Sequence, residues 1–375
     1  MNLSLAIFFT RGVSLRTWDT VGMFSREVAL YKRLQEQGVS VTFVTYGDKR
    51  EYEFQKKIPG IRICCNRWRM PEQWYARFLP WLHAGVLRKA DILKTNQMRG
   101  GCIALCSARR WRKPLVARCG YLWSKNASLE HGACSVLARQ SLAEEEKVFN
   151  GAASIIVTSL EMRDSIIQRF PNLAERVNVI PNYVDTEVFV PLRSSAPENA
   201  RLCFVGRLAP EKNLGVLIDA VREIDVKLDI VGQGPLLETL QQAAAGNPKV
   251  RFLGRVPNEQ LPEFLRQSTA FVFPSLYEGH PKTPVEAMAC GVPVIGTDVS
   301  GIKEIVRHGE TGWLCQPDVK SLKNGIEKIL SDPLLRERLG NNARQYVLQN
   351  FALDNVAARE LKIYQDLLQP SEESR

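Results

Sequence analysis

Short apolar runs with the character of β-strands alternate with amphipathic helical segments along most of this chain. The first pair is LSLAIFFT followed by GMFSREVALYKRLQEQG, in which one helical stripe carries Phe24, Val28, Tyr31 and Leu34. Such alternation is typical of a parallel β-sheet covered by helices on both faces. The pattern begins again after residues 181–200, which are rich in Pro, Ser and Asn, as linkers are. The sequence therefore predicts an α/β protein with two Rossmann-like, doubly wound domains.

The composition narrows the classes of protein that fit this pattern. Apolar residues make up 45% and charged residues 24% of the 375-residue chain, as in globular proteins. No apolar run approaches the roughly 20 residues of a membrane-spanning helix, and the first residues lack a signal-peptide pattern. Nine cysteines without a CxxC pair, and only four histidines, indicate free thiols rather than a disulfide framework or a zinc site. We therefore expect a cytoplasmic protein.

The net charge of +10 is concentrated in the first half of the chain. Residues 1–190 carry 28 Lys and Arg against 17 Asp and Glu, a balance of +11, whereas residues 191–375 carry 22 against 23, a balance of −1. Residues 62–118 contain 13 basic side chains, and their two acidic side chains are Glu72 and Asp91. Because the two halves of the chain differ so much in net charge, we expect them to bind different partners.

Two glycine-containing loops of the second half follow predicted strands. FVGRLAPEKNL combines Gly206 with Arg207 and Lys212 ahead of a helix. Side-chain charge, free amides and the helix dipole would together favour a diphosphate there. The alternative is an ordinary loop with Asn213 as the helix N-cap. IVGQGPL permits close backbone approach at Gly232, but it lacks the third glycine of a dinucleotide fingerprint and is weak evidence for NAD.

The segment EGHPKTPVE, residues 278–286, begins and ends with a glutamate. Its second half matches a capping box in which Thr283 is the N-cap, Pro284 the first helical residue and Glu286 the reciprocal acceptor. That interpretation leaves Glu278 unexplained. Backbone amides at the start of the predicted helix would also attract an anion. Glu286 is therefore a helix cap, part of one ligand site with Glu278, or both.

Together these motifs resemble the nucleotide-sugar domain of the family 4 glycosyltransferases, which are retaining enzymes of the GT-B fold. The resemblance is strong over residues 177–315, where its specificity lies in the order and spacing of VIPNYVDTEVF, FVGRLAPEKNL, IVGQGP, FVFPSLYEGHPKTPVEAMACGVPVIGTDVSGIKEIV and GETGWL. It implies an N-terminal acceptor-binding domain of residues 1–182, to which a C-terminal helix at about 355–370 returns. It also implies a nucleotide-sugar-binding domain of residues 183–354, facing the first across a deep cleft.

The resemblance assigns the catalytic work to three residues. Arg207 and Lys212 would neutralise the donor's diphosphate as charge develops on the leaving group, and Glu278 would hydrogen-bond the donor sugar. Retention in the family is assigned to attack on the face that the leaving phosphate occupies, so no enzyme nucleophile is implied. No metal or other cofactor is implied either, because the two cations and a helix N-terminus take its place.

The resemblance also implies a set of donor-binding residues. Amides of residues 279–283 would hold the distal phosphate, Glu286 the ribose hydroxyls, and main-chain groups near Val256 the edge of the base. The full set of donor-binding positions is Gly12, Gly206, Gly232, Val256, Gly279, His280, Pro281, Lys282, Thr283 and Glu286.

The first half departs from the family pattern at two places. Many members have Gly-Gly after the first strand; this chain has TRGVSLRTWDTVGMFSRE, and we expect Gly12 to approach the phosphates. Members often have a histidine facing the donor sugar; KPLVARCGYLW places Cys119 there instead. We expect Arg118, Cys119 and Gly120 to line the cleft near the acceptor. The alternative is that Cys119 is only a buried thiol.

The implied activity is transfer of a hexose from a UDP- or GDP-sugar to a glycan or lipid-linked acceptor, in the synthesis of bacterial cell-surface polysaccharides or glycoconjugates. A nucleotide-sugar epimerase or a phosphorylase of the same fold is the alternative, and an epimerase would need no acceptor. A basic nucleic-acid-binding protein is disfavoured because the sequence has no recognition-helix, RNP or zinc pattern.

The basic residues 66–94 are also rich in aromatic side chains, namely Trp68, Trp74, Tyr75, Phe78 and Trp81. Basic and aromatic residues on one surface suit a membrane interface with anionic lipids. This interpretation predicts peripheral docking on the inner face of the membrane through residues 62–118. In the alternative, the aromatic rings belong to the core beneath a solvated cationic face. Pro80 is expected to interrupt any simple helix here.

Overall fold

The computed structural model describes residues 3–191 and 200–369. These residues form two compact units, unit 1 of Met1–Pro181 with Val356–Arg375 and unit 2 of Asn182–Asn355. The sequence predicted these domain boundaries after residue 182 and at about residue 355. Part of the predicted linker (192–199) lies outside the described residues. So does the tail PSEESR (370–375), whose polar and charged composition predicts disorder.

Unit 1 is built on a parallel sheet of seven strands in the order β3-β2-β1-β4-β5-β6-β7. Its strands are β1 (Ser4–Phe8), β2 (Ser40–Val44), β3 (Arg62–Cys64), β4 (Ile92–Thr95), β5 (Leu115–Cys119), β6 (Ser154–Val157) and β7 (Val177–Val179). Its α-helices before residue 181 are α1 (Leu15–Thr20), α2 (Phe24–Glu36), α3 (Glu72–Leu82), α4 (Ala84–Leu87), α5 (Gly101–Trp111), α6 (Trp123–His131), α7 (Val136–Gly151) and α8 (Leu160–Arg169). Every residue of the central strands β4, β5 and β6 is buried, because both faces of the sheet are covered there.

Unit 2 is built on a parallel sheet of six strands in the order β10-β9-β8-β11-β12-β13. Its strands are β8 (Arg201–Val205), β9 (Lys227–Val231), β10 (Val250–Gly254), β11 (Ala270–Phe273), β12 (Val294–Thr297) and β13 (Gly312–Cys315). Its helices are α9 (Leu214–Ala220), α10 (Leu237–Ala243), α11 (Leu261–Arg266), α12 (Lys282–Ala289), α13 (Val319–Ser331) and α14 (Pro333–Asn350). The two parallel sheets confirm the predicted α/β class.

Each sheet has one place where the strand order reverses. In unit 1, the chain moves from β1 to β2 on one side and later returns to β4 on the other side of β1. In unit 2, β8 lies in the same way between β9 and β11. Loops that leave two such strands diverge, and open parallel sheets bind ligands in the crevice that this divergence leaves. These two switch points are where functional side chains are expected.

The C-terminal helix α15 (Leu353–Leu368) is fastened to unit 1 by a buried ion pair. The ammonium group of Lys94 in β4 contacts the carboxylate of Glu360, and the hydroxyl of Tyr364 donates to the same carboxylate. All three side chains are buried. Burial lowers the pKa of Lys94; burial also opposes the charge on Glu360, but the charges of Lys94 and Arg118 outweigh it and lower the pKa of Glu360. Removing one partner of such a pair costs about 3–5 kcal/mol.

Helix α3 corrects the prediction made for Pro80. The helix continues through Pro80 to Leu82, and the backbone amide of His83 closes it by donating to Leu79 O. Because Pro80 stands in the last turn, its missing N–H removes one hydrogen bond of the helix without stopping it. Among the described residues, no helix is long and apolar enough to span a membrane.

Candidate functional site

Two oppositely charged side chains meet at the switch point of unit 2. Lys212, in the loop after β8, forms an ion pair with Glu278, in the loop after β11. The two side chains are 13% and 12% exposed, respectively. The ammonium group of Lys212 also lies 5.2 Å from the ring centroid of Phe273, and Leu276 N donates to Glu211 O at 2.8 Å. The two loops are therefore held together, and the pair keeps spare donors and acceptors for a ligand.

Glycines bring the neighbouring loops into contact with one another. Gly206 N donates to Val231 O at 3.0 Å, and Gly232 N donates to Gly254 O at 2.7 Å. Gly232 has φ +141°, and a Cβ atom there would lie 1.8 Å from Gly206 O. Only glycine satisfies both conditions. The loops after β8, β9 and β10 consequently lie side by side, and the last of them carries the half-buried Val256.

Arg207 adds a second cation to the loop that carries Lys212. It follows Gly206 directly, and its side chain is exposed. Lys212 ends a short 3-10 turn, and α9 begins two residues later at Leu214. Asn213 is the N-cap of α9, as the simpler interpretation had it, but its φ of 51° is left-handed and its side chain makes no cap hydrogen bond. The backbone alone therefore defines this helix start.

The predicted capping box at the start of α12 does not form. Helix α12 begins at Lys282, its N-cap is Pro281, and no side chain caps it. Thr283 is therefore the second residue of the helix and Glu286 the fifth. The backbone amides of the first turn of any helix have no acceptor within that helix, so a proline, which lacks the N–H, is tolerated at each of these positions. The position of Pro284 therefore does not determine which residue begins α12. The interpretation of Glu286 as the partner of Thr283 is wrong.

Glu286 is instead buried beside the loop that follows β10. Its side chain is 2% exposed, and its Oε1 accepts a hydrogen bond from Asn258 Nδ2 at 3.2 Å. Asn258 is itself buried and begins a 3-10 turn two residues after Val256. A buried carboxylate held by an amide is fixed in position. The structure thus brings Glu286 close to the segment expected to contact the base.

The backbone at Gly279 and His280 is supported from two sides. Asn182 Nδ2 donates to His280 O at 2.6 Å, and the His280 ring lies 5.1 Å from that of Phe351. On the other side, Gly301 has φ +82°, and a Cβ atom there would lie 2.3 Å from Gly279 O. Sequence reasoning assigned no site role to Asn182 or Gly301. Gly301 could have been noticed as a glycine in the loop after β12. Nothing in the sequence indicated that Asn182 would bond the backbone of His280, 98 residues away.

Unit 1 contains a cavity of about 450 Å³ at its own switch point. The loops after β1 and β4 meet there, because Arg11 N donates to Arg99 O at 3.1 Å. Gly12 follows Arg11, has φ +81°, and approaches Glu72: a Cβ atom on Gly12 would lie 3.2 Å from Glu72 Oε2. The side chains that matter for ligand chemistry among its lining residues are Arg11, Glu72, Arg99, Trp123 and Glu144.

The charges around this cavity are of both signs. Arg11 Nε donates to Glu72 Oε1 at 2.8 Å. Glu144 Oε1 accepts from the amides of Gly100 at 3.0 Å and Cys102 at 3.3 Å, so a carboxylate already occupies the positive end of α5. The arrangement offers carboxylate acceptors, guanidinium donors and an indole face. Such a mixture suits a polyhydroxylated ligand better than a simple anion.

The three residues expected near the acceptor, Arg118, Cys119 and Gly120, make contacts within unit 1. Burial raises the pKa of the Cys119 thiol, which lies in the apolar core and donates to a backbone carbonyl at 3.0 Å. Arg118 is 8% exposed and its Nε lies 4.0 Å from Glu360 Oε1. Gly120 N donates to Gln97 Oε1 at 2.9 Å. The structure thus agrees with the simpler interpretation of Cys119 as a buried thiol.

Across residues 3–191 and 200–369, no group of three or more His, Cys, Asp or Glu side chains is arranged to hold a metal ion. The basic side chains in the loops of the candidate site in unit 2 include Arg207, Lys212 and Lys282.

Comparison with known proteins gives matches along most of the chain. A family model described as "Glycosyltransferase Family 4" matches residues 24–188, and one described as "Glycosyl transferases group 1" matches residues 193–346. An uncharacterized glycosyltransferase of Methanocaldococcus jannaschii is 29% identical over an alignment of 397 positions, gaps included, which spans 94% of this chain and 97% of that protein.

Solved structures show the same architecture. Sucrose-phosphate synthase of Thermosynechococcus elongatus superposes with a TM-score of 0.81 at 23% identity, covering 97% of this chain and 99% of that one. HepE of Anabaena, solved with UDP and glucose, superposes with a TM-score of 0.78 at 20% identity, covering 97% and 100%. At such identities the likeness establishes the fold.

Proposed function

This chain belongs to the family 4 glycosyltransferases of the GT-B fold, and we propose that it transfers a hexose from a UDP- or GDP-sugar to a glycan or lipid-linked acceptor with retention of configuration. The observation that carries this proposal is the Lys212–Glu278 pair, which lies at the switch point of unit 2. The complex of Anabaena HepE with UDP and glucose supports a nucleotide-sugar donor for a protein of this fold.

The diphosphate of the donor binds to the loop after β8 and the start of α12. Arg207 and Lys212 are the two cations of that loop. The first turn of α12, which begins at Lys282, is the positive end of the helix dipole and stabilises a further phosphate oxygen. As the glycosidic bond breaks, negative charge grows on the leaving phosphate, and fixed cations stabilise it more in the transition state than in the ground state. The proposal therefore needs no metal ion.

The donor sugar and nucleoside are held by carboxylates and the backbone. Glu278 accepts hydrogen bonds from sugar hydroxyls while Lys212 holds its other oxygen in place. Glu286 accepts from the ribose hydroxyls, and the backbone near Val256 contacts the base. Because Gly301 and Asn182 support the backbone at Gly279 and His280, the sugar-binding loop is fixed before the ligand arrives.

Retention follows from an attack on the same face as the departing phosphate. The acceptor hydroxyl forms a bond to the anomeric carbon as the bond to the phosphate oxygen breaks. The hydroxyl proton passes to that phosphate oxygen, which is the base within reach. The nucleoside diphosphate then leaves as the protonated product, and no covalent enzyme intermediate is required.

The cavity of unit 1 binds the acceptor's sugar. Glu72 and Glu144 supply acceptors for its hydroxyls, Arg99 supplies a donor, and the indole of Trp123 offers a face for ring packing. A volume of about 450 Å³ lies in the range of ordinary ligand pockets. The products are cell-surface polysaccharides or glycoconjugates, and their acceptors carry such hydroxyl-rich groups.

A thermal-shift screen of nucleoside diphosphates tests the donor site, since a ligand that binds only the folded protein raises its melting temperature. UDP or GDP is expected to raise it by several degrees without added metal, and a chelator is expected to leave the shift unchanged. Transfer is then followed with the matching sugar donor, and the anomeric coupling of the product is measured by NMR. Absence of a shift with every nucleotide, or conversion of donor without an acceptor, would contradict the proposal, the latter in favour of an epimerase.

A further inference from the structure

Helix α3 exposes three large aromatic side chains on one face. Trp74, Phe78 and Trp81 are 54%, 41% and 53% exposed. Their spacing of four and three residues puts them side by side on a helix, and consecutive ring centroids lie 6.0 and 6.5 Å apart. Tyr75 and Leu79 on the opposite face are fully buried in unit 1. The helix is thus packed on one side and still strongly apolar on the side that meets solvent.

Cations from two further segments lie near the C-terminal end of α3, around the ring of Trp111. The Nε1 of Trp111, at the end of α5, donates to Pro80 O at 3.0 Å and so brings the two helix ends together. The guanidinium groups of Arg88 and Arg110 lie 5.6 and 4.9 Å from the ring of Trp111. Arg77 is exposed on α3 itself.

The region of residues 62–118, which includes α3, is almost entirely positive in charge. Its two acidic side chains are already engaged, Glu72 with Arg11 and Asp91 with the backbone amide of Ser4 at 2.8 Å. The exposed cations of residues 62–118 are Arg62, Arg67, Arg69, Arg77, Arg88, Lys89, Arg99, Arg109, Arg110 and Arg112.

We propose that the α3 face, defined as Trp74, Arg77, Phe78 and Trp81 with the neighbouring Arg88 and Arg110, docks onto a membrane surface that contains anionic lipids. Tryptophan rings settle at the level of lipid headgroups, where their apolar and polar edges are both satisfied. Guanidinium groups bind lipid phosphates with two hydrogen bonds each. Apolar insertion and charge attraction are each weak alone, and stable peripheral binding needs both.

Charge complementarity argues against the alternative of a second copy of this chain. Two α3 faces in contact would bring arginines of both copies together, and like charges at an interface are unfavourable. The exposed aromatic area with its surrounding arginines therefore calls for an anionic occupant with an apolar layer. A membrane leaflet has both, and an acidic protein is the competitor that the experiment must separate from it.

Docking through α3 would also place the acceptor cavity near the lipid headgroups. Glu72 is the first residue of α3 and lines the cavity in unit 1. A lipid-linked acceptor would then reach the cavity while its anchor stays in the leaflet. This last step rests on the proposed function, whereas membrane binding itself does not.

Vesicle binding by the full chain tests the charge component. Phosphatidylcholine vesicles with about one third phosphatidylglycerol are expected to bind the protein at low salt, and binding is expected to weaken strongly at about 0.5 M salt. The triple variant Arg77→Glu/Arg88→Glu/Arg110→Glu should reduce the partition coefficient at least tenfold. The matched control Lys227→Glu/Lys320→Glu/Arg338→Glu makes the same change of net charge at exposed positions of unit 2, and should stay within about threefold of the wild type.

Quenching of tryptophan fluorescence by lipids with brominated acyl chains tests insertion. The wild type should be quenched, whereas Trp74→Phe/Trp81→Phe should bind vesicles and lose most of the quenching. Trp74→Ser/Phe78→Ser/Trp81→Ser should lose binding, and Leu137→Ser/Leu142→Ser, at exposed leucines of α7, should not. Circular dichroism of each variant checks that it is folded.

Three results would overturn the proposal. The first is no binding of the wild type to anionic vesicles at low salt. The second is equal loss of binding in the α3 and control variants. The third is vesicle binding without quenching together with equally tight binding to polyglutamate, which would identify an acidic protein as the partner. A protein that docks but lacks transferase activity would contradict the proposed function and leave the docking surface intact.

Discussion

The ammonium group of Lys212 pairs with the carboxylate of Glu278, which comes 66 residues later in the chain. The contact joins the loops after β8 and β11, which diverge from each other at the switch point of unit 2. Both side chains are largely buried. Two side chains that restrain each other lose less freedom when a ligand binds. The pair therefore preorganises one cation and one acceptor at the position where the fold leaves room for a ligand.

Alanine substitution of Lys212, Glu278 or Arg207 is expected to lower kcat about 100-fold or more, the usual cost of losing a charge-stabilising group. Initial rates at saturating donor measure the effect. Lys249→Ala is the matched control, because Lys249 forms an ion pair with Asp225 at 2.7 Å on the exposed surface of the same unit. Its rate should match that of the wild type, and near-normal rates in a site variant would remove that residue from the site.

The double variant Lys212→Ala/Glu278→Ala separates cooperation from independent action. Residues that work as a unit have non-additive effects, so the double variant should lose little more activity than the worse single variant. Losses that multiply would show that the ion pair has no functional meaning.

Local patterns of the sequence predicted much of this fold. The stripe of Phe24, Val28, Tyr31 and Leu34 is buried on α2 as expected, because a helix on a sheet must bury one face. Strand-to-helix loops with glycine were located equally well, since close backbone approach leaves few alternatives to glycine. Gly232 against Gly206 is the clearest case.

Predictions from local sequence patterns were wrong where one pattern is compatible with more than one local structure. Thr283 and Pro284 are compatible with two starts of α12, and packing decided between them. Pro80 is tolerated because α3 ends directly after it, which no residue near Pro80 specifies. Likewise, the hydrogen bond from Asn182 to the backbone at His280 depends on tertiary folding alone. The site residues that remain predictions are those whose role appears only when a ligand is bound.

Glu286→Gln is expected to weaken nucleoside diphosphate binding at least tenfold and to change stability little. A glutamine keeps the size of the buried side chain but weakens hydrogen bonds to ribose hydroxyls, because its acceptor is uncharged. Thr283→Ala provides the contrast. Since Thr283 makes no cap hydrogen bond, its loss should cost less than the roughly 1 kcal/mol of a true cap. Calorimetric titration and urea unfolding measure the two quantities; a stability loss of cap size in Thr283→Ala would restore the capping box.

Gly232→Ala is expected to lower both stability and nucleotide affinity. The new methyl group would lie 1.8 Å from Gly206 O, so the loops after β8 and β9 must separate. Gly246→Ala is the control, because Gly246 also has positive φ, +83°, but nothing lies within 4 Å of the added atom. The control should lose about 1–2 kcal/mol through backbone strain alone, and Gly232→Ala should lose clearly more. Equal urea midpoints for the two variants would show that the close approach is unimportant.

His83 should make the packing of α3 sensitive to acid. Burial, reinforced by the charge of Arg67, lowers the pKa of His83 from 6.5 to about 4; its Nε2 is hydrogen-bonded to the hydroxyl of the buried Tyr75 at 2.8 Å. Between these two values the unfolded segment binds more protons than the folded one. The stability from this group is therefore complete above pH 6.5 and is lost as pH falls towards 4, at about 1.4 kcal/mol per pH unit.

Hydrogen exchange of the α3 amides at pH 7 and at pH 4.5, corrected for the intrinsic rates, measures this local stability. Protection should fall by more than tenfold at the lower pH in the wild type. In His83→Gln, which has no ionisable ring, α3 starts from lower protection but should lose much less of it on acidification. His131→Gln, at an exposed histidine of the same unit, should behave as the wild type does. If wild type and His83→Gln lost protection in parallel, another group would have to be responsible for the acid sensitivity of the α3 face.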